Sequence, residues 1–161
     1  MFRFKRPPVD NATALLRSNL YDERSFYYCF LTDMQRAKHS IIIESPFITR
    51  KRLTRLMPAI RNAVQRGVAI TINTRHPECH EAGMEEQAAA GVAMLQAAGI
   101  TVLYTGNHHR KIAIIDSEIL WEGSLNILSQ SDSCEVMRRI FSAELADEMI
   151  RFTGLERWYT E

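Results

Sequence analysis

Disulfide scaffolds are the first class to fall away. The chain of 161 residues holds three cysteines, Cys29, Cys79 and Cys134, an odd and widely spaced set that makes no framework of bridges. It also has no apolar run long enough to span a bilayer. The start, Met1-Phe-Arg-Phe-Lys-Arg-Pro-Pro, carries charge with no apolar stretch behind it, so no secretory leader is expected and the cytoplasm is the expected compartment. Internal repeats and low-complexity tracts are absent. A large excess of one charge is missing too, although the net charge of +1 hides basic clusters in Met1–Arg17 and Arg50–Arg55. Zinc patterns are thin, with no C-x-x-C pair and no H-E-x-x-H helix. His76, Cys79 and His80, with His108 and His109, remain a loose set that zinc could use. Their proline-containing loop suits the lining of a cleft better.

What is present is an alternation of strands and helices. Two prolines and scattered charge mark residues 1–20 as an arm or linker, with Arg3, Lys5 and Arg6 acting as a tether, and leave residues 21–161 as the folded domain. Asp22 is placed to cap a helix running to about Lys38. Ile41-Ile-Ile-Glu44 reads as a buried strand ending at Ser45-Pro46-Phe47. Leu53, Leu56, Met57, Ile60 and Val64 give a helix over about Arg50–Arg66, which Gly67 ends. A strand at Val68–Asn73, a helix at Glu81–Ala98 stopped by Gly99 and a strand at Ile100–Tyr104 follow. His109–Ile115 and Glu118–Trp121 are expected to form a hairpin around Asp116-Ser117. A strand at Cys134–Ile140 and a helix at Ser142–Gly154 close the chain. This order predicts an α/β fold, a mixed sheet sandwiched by helices. In such sheets the site lies beyond the carboxyl ends of the parallel strands, here Ser45–Phe47, Thr74–His76 and the approach Thr105–His109.

The densest chemistry is in H-R-K-I-A-I-I-D-S-E-I-L-W-E-G-S-L-N, His109 to Asn126. Side chains two apart on a strand share a face, so His109 and Lys111 point one way and Arg110, Ile112, Ile114 and Asp116 the other. Ser124 and Asn126 repeat the spacing after the turn. A phosphodiester can sit with its oxygens on Lys111 and Asn126, with the Ser124 hydroxyl in reach and its phosphorus facing His109. Imidazole attacks through Nε2 when a carboxylate holds its Nδ1–H, and Glu135 is the candidate carboxylate. Asp116 is expected in a structural turn or ion pair, and Gly123 in shaping the turn. Glu44 and Glu122 are expected on the surface or as caps. The cations Arg50, Lys51, Arg52 and Arg55, with Arg75, form a groove for a polyanion's phosphates or else a solvated helix face.

The spacing H-x-K-x4-D-x6-G-S-x-N resembles the HKD motif of the phospholipase D superfamily, and the likeness covers most of the chain, from Ile41-Ile-Ile-Glu-Ser-Pro-Phe to Glu135. It looks closest to short bacterial members with one motif, such as the periplasmic endonuclease branch, from which the absent leader is a departure. Similar short domains occur attached to DNA helicases and other DNA-processing proteins. The resemblance implies a phospholipase D-like fold and no metal or other cofactor. It implies that His109 is the nucleophile, forming a phosphohistidine, or the acid that protonates the leaving oxygen, that Lys111 and Asn126 bind phosphate, and that Glu135 orients the imidazole.

One chain carries one motif, whereas the two-step reaction needs groups on both sides of phosphorus. A two-fold dimer sharing one site supplies the second His109. The expectation is therefore a homodimeric, metal-independent phosphodiesterase acting on single- or double-stranded DNA, away from membranes, alone or within a larger DNA-processing protein or complex. Its alternatives are a lipid hydrolase of phospholipase D type, a non-catalytic nucleic-acid binding domain and a zinc hydrolase.

Overall fold

The computed structural model describes residues 11–158, so the tether assigned to Arg3, Lys5 and Arg6 lies outside the described residues. In chain order the elements are α1 (Asn11–Leu16), β1 (Asn19–Asp22), α2 (Phe26–Arg36), β2 (Ser40–Glu44), α3 (Arg50–Gln65) and β3 (Ala69–Thr74). They continue with α4 (Ala82–Ala97), β4 (Thr101–Tyr104), β5 (Ile112–Ile115), β6 (Ile119–Gly123), β7 (Val136–Phe141) and α5 (Ala143–Thr153). The strands form one seven-stranded sheet in the order β1-β7-β6-β5-β2-β3-β4. β2, β3 and β4 run parallel, and β5, β6, β7 and β1 continue antiparallel from β2. The expected mixed sheet between helices is therefore the observed one.

Alternation explains the layering. Ile41 and Ile43 of β2, with Ala113 and Ile115 of β5, pack under α2, α3 and α4. Ile42, Ile112 and Ile114 turn to the opposite face, where Ala146 and Ile150 of α5 and Ala14 of α1 cover them. Each fully buried isoleucine contributes about 1.5–3 kcal/mol. A one-residue slip would send these side chains to the wrong layer. One expectation moves. Residues 11–20 are not an arm, because α1 contributes Ala14 to the second core and β1 pairs with β7 along the sheet edge. The capping expectation moves too, since Asp22 ends β1 and accepts from the backbone and hydroxyl of Ser25, leaving α2 to start at Phe26.

The strand directions place the site. The carboxyl ends of β2, β3, β4 and β6 and the amino ends of β5 and β7 all meet at one edge of the sheet. Asp116 stands at the other edge, roughly 17 Å from Lys111 for five residues of extended chain. With Ser117 it forms a two-residue hairpin turn, both at positive φ (53° and 51°), closed by the Glu118 amide donating to the Ile115 carbonyl at 3.0 Å. Its carboxylate accepts from the backbone amides of Lys38, His39 and Ser40 at 2.9, 2.8 and 2.9 Å. Asp116 therefore ties the hairpin to the start of β2. Asp116→Ala removes that acceptor and puts a Cβ-bearing residue without a local polar partner at positive φ. It should cost about 2–4 kcal/mol, with Asp116→Asn losing less, as read by urea denaturation. Equal stability of all three proteins would contradict this role.

Candidate active site

The edge is built by a loop pegged into the core. After Gly123 the chain buries Leu125, Ile127 and Leu128, which leaves Ser124 and Asn126 between them at the edge. Gly123 itself is required by closeness, because a Cβ there would stand 2.1 Å from the Val136 carbonyl oxygen. The Tyr27 hydroxyl donates to the Ile127 carbonyl at 2.9 Å. Ser45, just past β2, accepts from the Leu128 amide at 3.2 Å, so the end of β2 holds the loop that carries Asn126.

Around this loop the residues of the motif gather. His109 is exposed and Lys111 half-buried, both just before β5. The Lys111 ammonium donates to the His109 carbonyl. Loss of hydration lowers the Lys111 pKa, and the Glu135 carboxylate facing it pulls the other way. Ser124 donates its hydroxyl to Glu135 and accepts from the Val136 amide. The second Glu135 oxygen takes the Ser133 hydroxyl at 2.7 Å. Glu135 thus meets Lys111 and Ser124, whereas the His109 ring meets Phe47, edge-on at 6.3 Å. The Asn126 Oδ1 is buried without a partner.

Beneath the motif lies a buried ionic network that the sequence reading missed. Glu44, expected at the surface, is fully buried. It accepts from Arg110 Nε and Nη2 at 2.5 and 2.7 Å and from Asn73 Nδ2 at 2.7 Å, while Thr105 donates to Asn73 at 3.0 Å. The reason for the correction is the register: Glu44 pairs with Ile112 of β5 and Asn73 of β3, which puts its carboxylate where Arg110 arrives. The ion pair raises the Arg110 pKa. His108 is buried beside it. Burial first, then the positive Arg110 and Lys111, lower its pKa against the opposing pull of Glu44.

The groove cations divide. Arg52 donates to the Gln130 carbonyl at 2.9 and 2.7 Å and lies 3.9 Å over the Tyr27 ring, so it clamps the loop after Asn126. Arg75 donates to the Cys79 carbonyl at 2.9 Å. Arg50 is exposed on the first turn of α3. Lys51 and Arg55, with Gln87, Ser129 and Ser131, line a cavity of about 200 Å³. Because the Ser129 amide donates to the Asn126 carbonyl at 3.0 Å, this cavity adjoins the Asn126 end of the site. Among the described residues no three of His, Cys, Asp and Glu converge as metal ligands. His76 instead faces Glu78 and Tyr104, and His80 packs on Phe47. No helix among the described residues is long and apolar enough to cross a membrane.

Comparison with known proteins adds the family. Residues 30–155 match the family model described as cardiolipin synthase, PLD-like domain. The fold is similar to that of Nuc from Salmonella typhimurium, described as a phospholipase D family member, with a TM-score of 0.70, 20% identity and coverage of 88% of this chain and 93% of that one. NucT from Helicobacter pylori is similar at TM-score 0.66 and 20% identity, over 84% of this chain and 92% of its own. A polyphosphate kinase from Porphyromonas gingivalis shares the fold at TM-score 0.68 and 12% identity, over 92% of this chain and 27% of that one. No curated protein sequence matches the chain.

Proposed function

The chain belongs to the phospholipase D-like domain family, and from that premise we propose that it is a metal-independent phosphodiesterase that cleaves DNA through a phosphohistidine. The observation carrying this reading is the meeting of His109, Lys111, Ser124, Asn126 and Glu135 at one sheet edge, beside a cationic cavity. His109 Nε2 attacks phosphorus, a P–N bond forms, and the P–O bond to the leaving strand breaks. A second imidazole protonates the leaving oxygen, then takes a proton from the water that attacks phosphorus and releases His109. Lys111 and Asn126 hold the non-bridging oxygens, where charge shifts in the transition state, with the Ser124 hydroxyl beside them. Partial loss of hydration suits Lys111 to this, since a less hydrated ammonium attracts phosphate more strongly. Glu135 is the carboxylate assigned to the Nδ1–H of His109, reached when substrate draws the site together.

The second imidazole is His109 of another copy in a two-fold dimer. Lys51 and Arg55, with exposed Arg50, take neighbouring phosphates, and Arg52 and Arg75 hold the walls. The names Nuc and NucT of the similar structures accord with a nucleic-acid substrate, and the proposed place of work is the cytoplasm.

Cleavage of DNA should persist in excess EDTA. Activity that vanishes with chelator and returns with zinc or magnesium would remove this reading. The dimer has its own test in co-refolded mixtures of wild type and His109→Ala at fixed total protein. A shared site makes activity fall with about the square of the wild-type fraction, so an equal mixture keeps roughly a quarter. A straight line through one half would refute sharing and leave the nuclease standing.

A further inference from the structure

Four rings past the carboxyl ends of β2, β3 and β4 belong to neither hydrophobic core. Phe47, just past β2, lies 5.3 Å from His80 and 6.3 Å from His109. His76, just past β3, packs edge-on against Tyr104 at the end of β4, 4.8 Å away. Between these groups Arg75 stands 5.7 Å over the Phe47 ring. Phe47 is half-buried, His76 exposed and Tyr104 43% exposed. The loop is held in place by its own bonds: Arg75 to the Cys79 carbonyl, the Cys79 amide to the His76 carbonyl at 2.9 Å, and buried Pro77. Burial, with Arg75 adding to it, lowers the His80 pKa, so near neutral pH this ring is an uncharged π surface.

The order of the rings follows the sheet. β2, β3 and β4 are neighbours, so the step from Phe47 to Tyr104 crosses two strand spacings, about 10 Å. Such a row of aromatics interleaved with a cation suits a single nucleic-acid strand, whose unpaired bases offer flat faces. Duplex bases are already stacked and paired, and a lipid headgroup has no such face.

Resting on the nuclease reading above, we propose that Phe47 with His80, and Tyr104 with His76, stack two successive bases of a single-stranded substrate beside the scissile phosphate. The strand then leaves His109 across the carboxyl ends of β2, β3 and β4, and Arg75 braces the first station through its cation–π contact. The preferred substrate is unpaired nucleic acid.

The test pairs protein variants with substrate variants. kcat/KM is measured for wild type, Phe47→Leu, Phe47→Trp and Tyr104→Ala on a single-stranded oligonucleotide. It is measured again on the same oligonucleotide with abasic sugars at the two positions next to the cleaved linkage. Leucine keeps the apolar volume at position 47 and tryptophan keeps an aromatic face. Phe47→Leu and Tyr104→Ala should each lower kcat/KM on the intact strand by about 5- to 150-fold. Neither should matter on the abasic strand, and Phe47→Trp should retain activity. A second readout is 2-aminopurine placed at the first position and bound to the His109→Ala chain. Its fluorescence should be quenched on binding, and Phe47→Leu in that background should abolish the quenching. Equal losses on both strands, or no loss on either, overturn the stacking stations while the nuclease stands. A wild type that cleaves phosphatidylcholine vesicles and no nucleic acid overturns the nuclease reading as well.

Discussion

His109→Ala should reduce phosphodiester turnover on the order of 10⁴-fold or more, the scale on which loss of a nucleophile is felt. Binding of the same DNA should change less than about tenfold, because phosphate contacts from lysine and arginine dominate such affinity. The fold should survive. The His109 ring is exposed and meets the edge of Phe47, so its removal leaves no buried donor or acceptor unpaired. Stability should stay within about 0.5 kcal/mol of wild type. Lys111→Ala makes the comparison, because it removes a phosphate donor and should weaken binding and turnover together. The two variants separate by single-turnover cleavage and by fluorescence anisotropy on labelled DNA. Turnover above roughly one per cent in His109→Ala would assign the nucleophile elsewhere.

The strand expected from His109 begins only at Ile112, with His109–Lys111 as its approach. Its body was readable, because Ile112–Ile115 are all apolar, and all four are buried. Helix ends were equally legible, since Gly67, Gly99 and Gly154 all adopt positive φ (84°, 81° and 71°), and only glycine does so at no steric cost. The edge strand β1 was not legible. Its four residues Asn19–Asp22 are mostly exposed, so it has no buried face to betray it, and its place comes from pairing with β7 far along the chain.

Charges were the least legible. A sequence shows that Arg52 and Arg75 are cations, and that favours a phosphate groove. It does not show the Gln130 and Cys79 carbonyls to which the two guanidinium groups donate. Glu135 illustrates the same limit from the acidic side. Its distance after Asn126 marked it for the site, but its present partners, Ser124 and Ser133, depend on how the loop before β7 folds. The aromatic row was missed for another reason. Phe47, His76, His80 and Tyr104 are scattered over two connections and a strand end, and only the parallel order of β2, β3 and β4 brings them to one edge.

Glu44→Ala should cost about 3 kcal/mol of folding stability. Glu44 has no exposed area, and its oxygens are shared by Arg110 and Asn73. Removing it leaves both donors without their acceptor. Breaking a buried pair in this way costs roughly 3–5 kcal/mol. The low end applies because the Arg110 side chain is 38% exposed and can turn its charge toward water. Glu44→Gln keeps the shape and one acceptor, so its loss should be smaller, about 1–2 kcal/mol, with the guanidinium less firmly held. The consequence reaches the site through the chain itself. Arg110 stands between His109 and Lys111, and its bonds to Glu44 tie that stretch of backbone to β2. Both Glu44 variants should therefore lose more turnover than stability alone explains, at temperatures where each remains folded. Urea denaturation gives the first quantity and cleavage at 15–20 °C below each midpoint, roughly the margin a few kcal/mol represents, gives the second. Full activity in folded Glu44→Gln would mean that the loop before β5 is positioned by its own packing, with the ion pair serving stability alone.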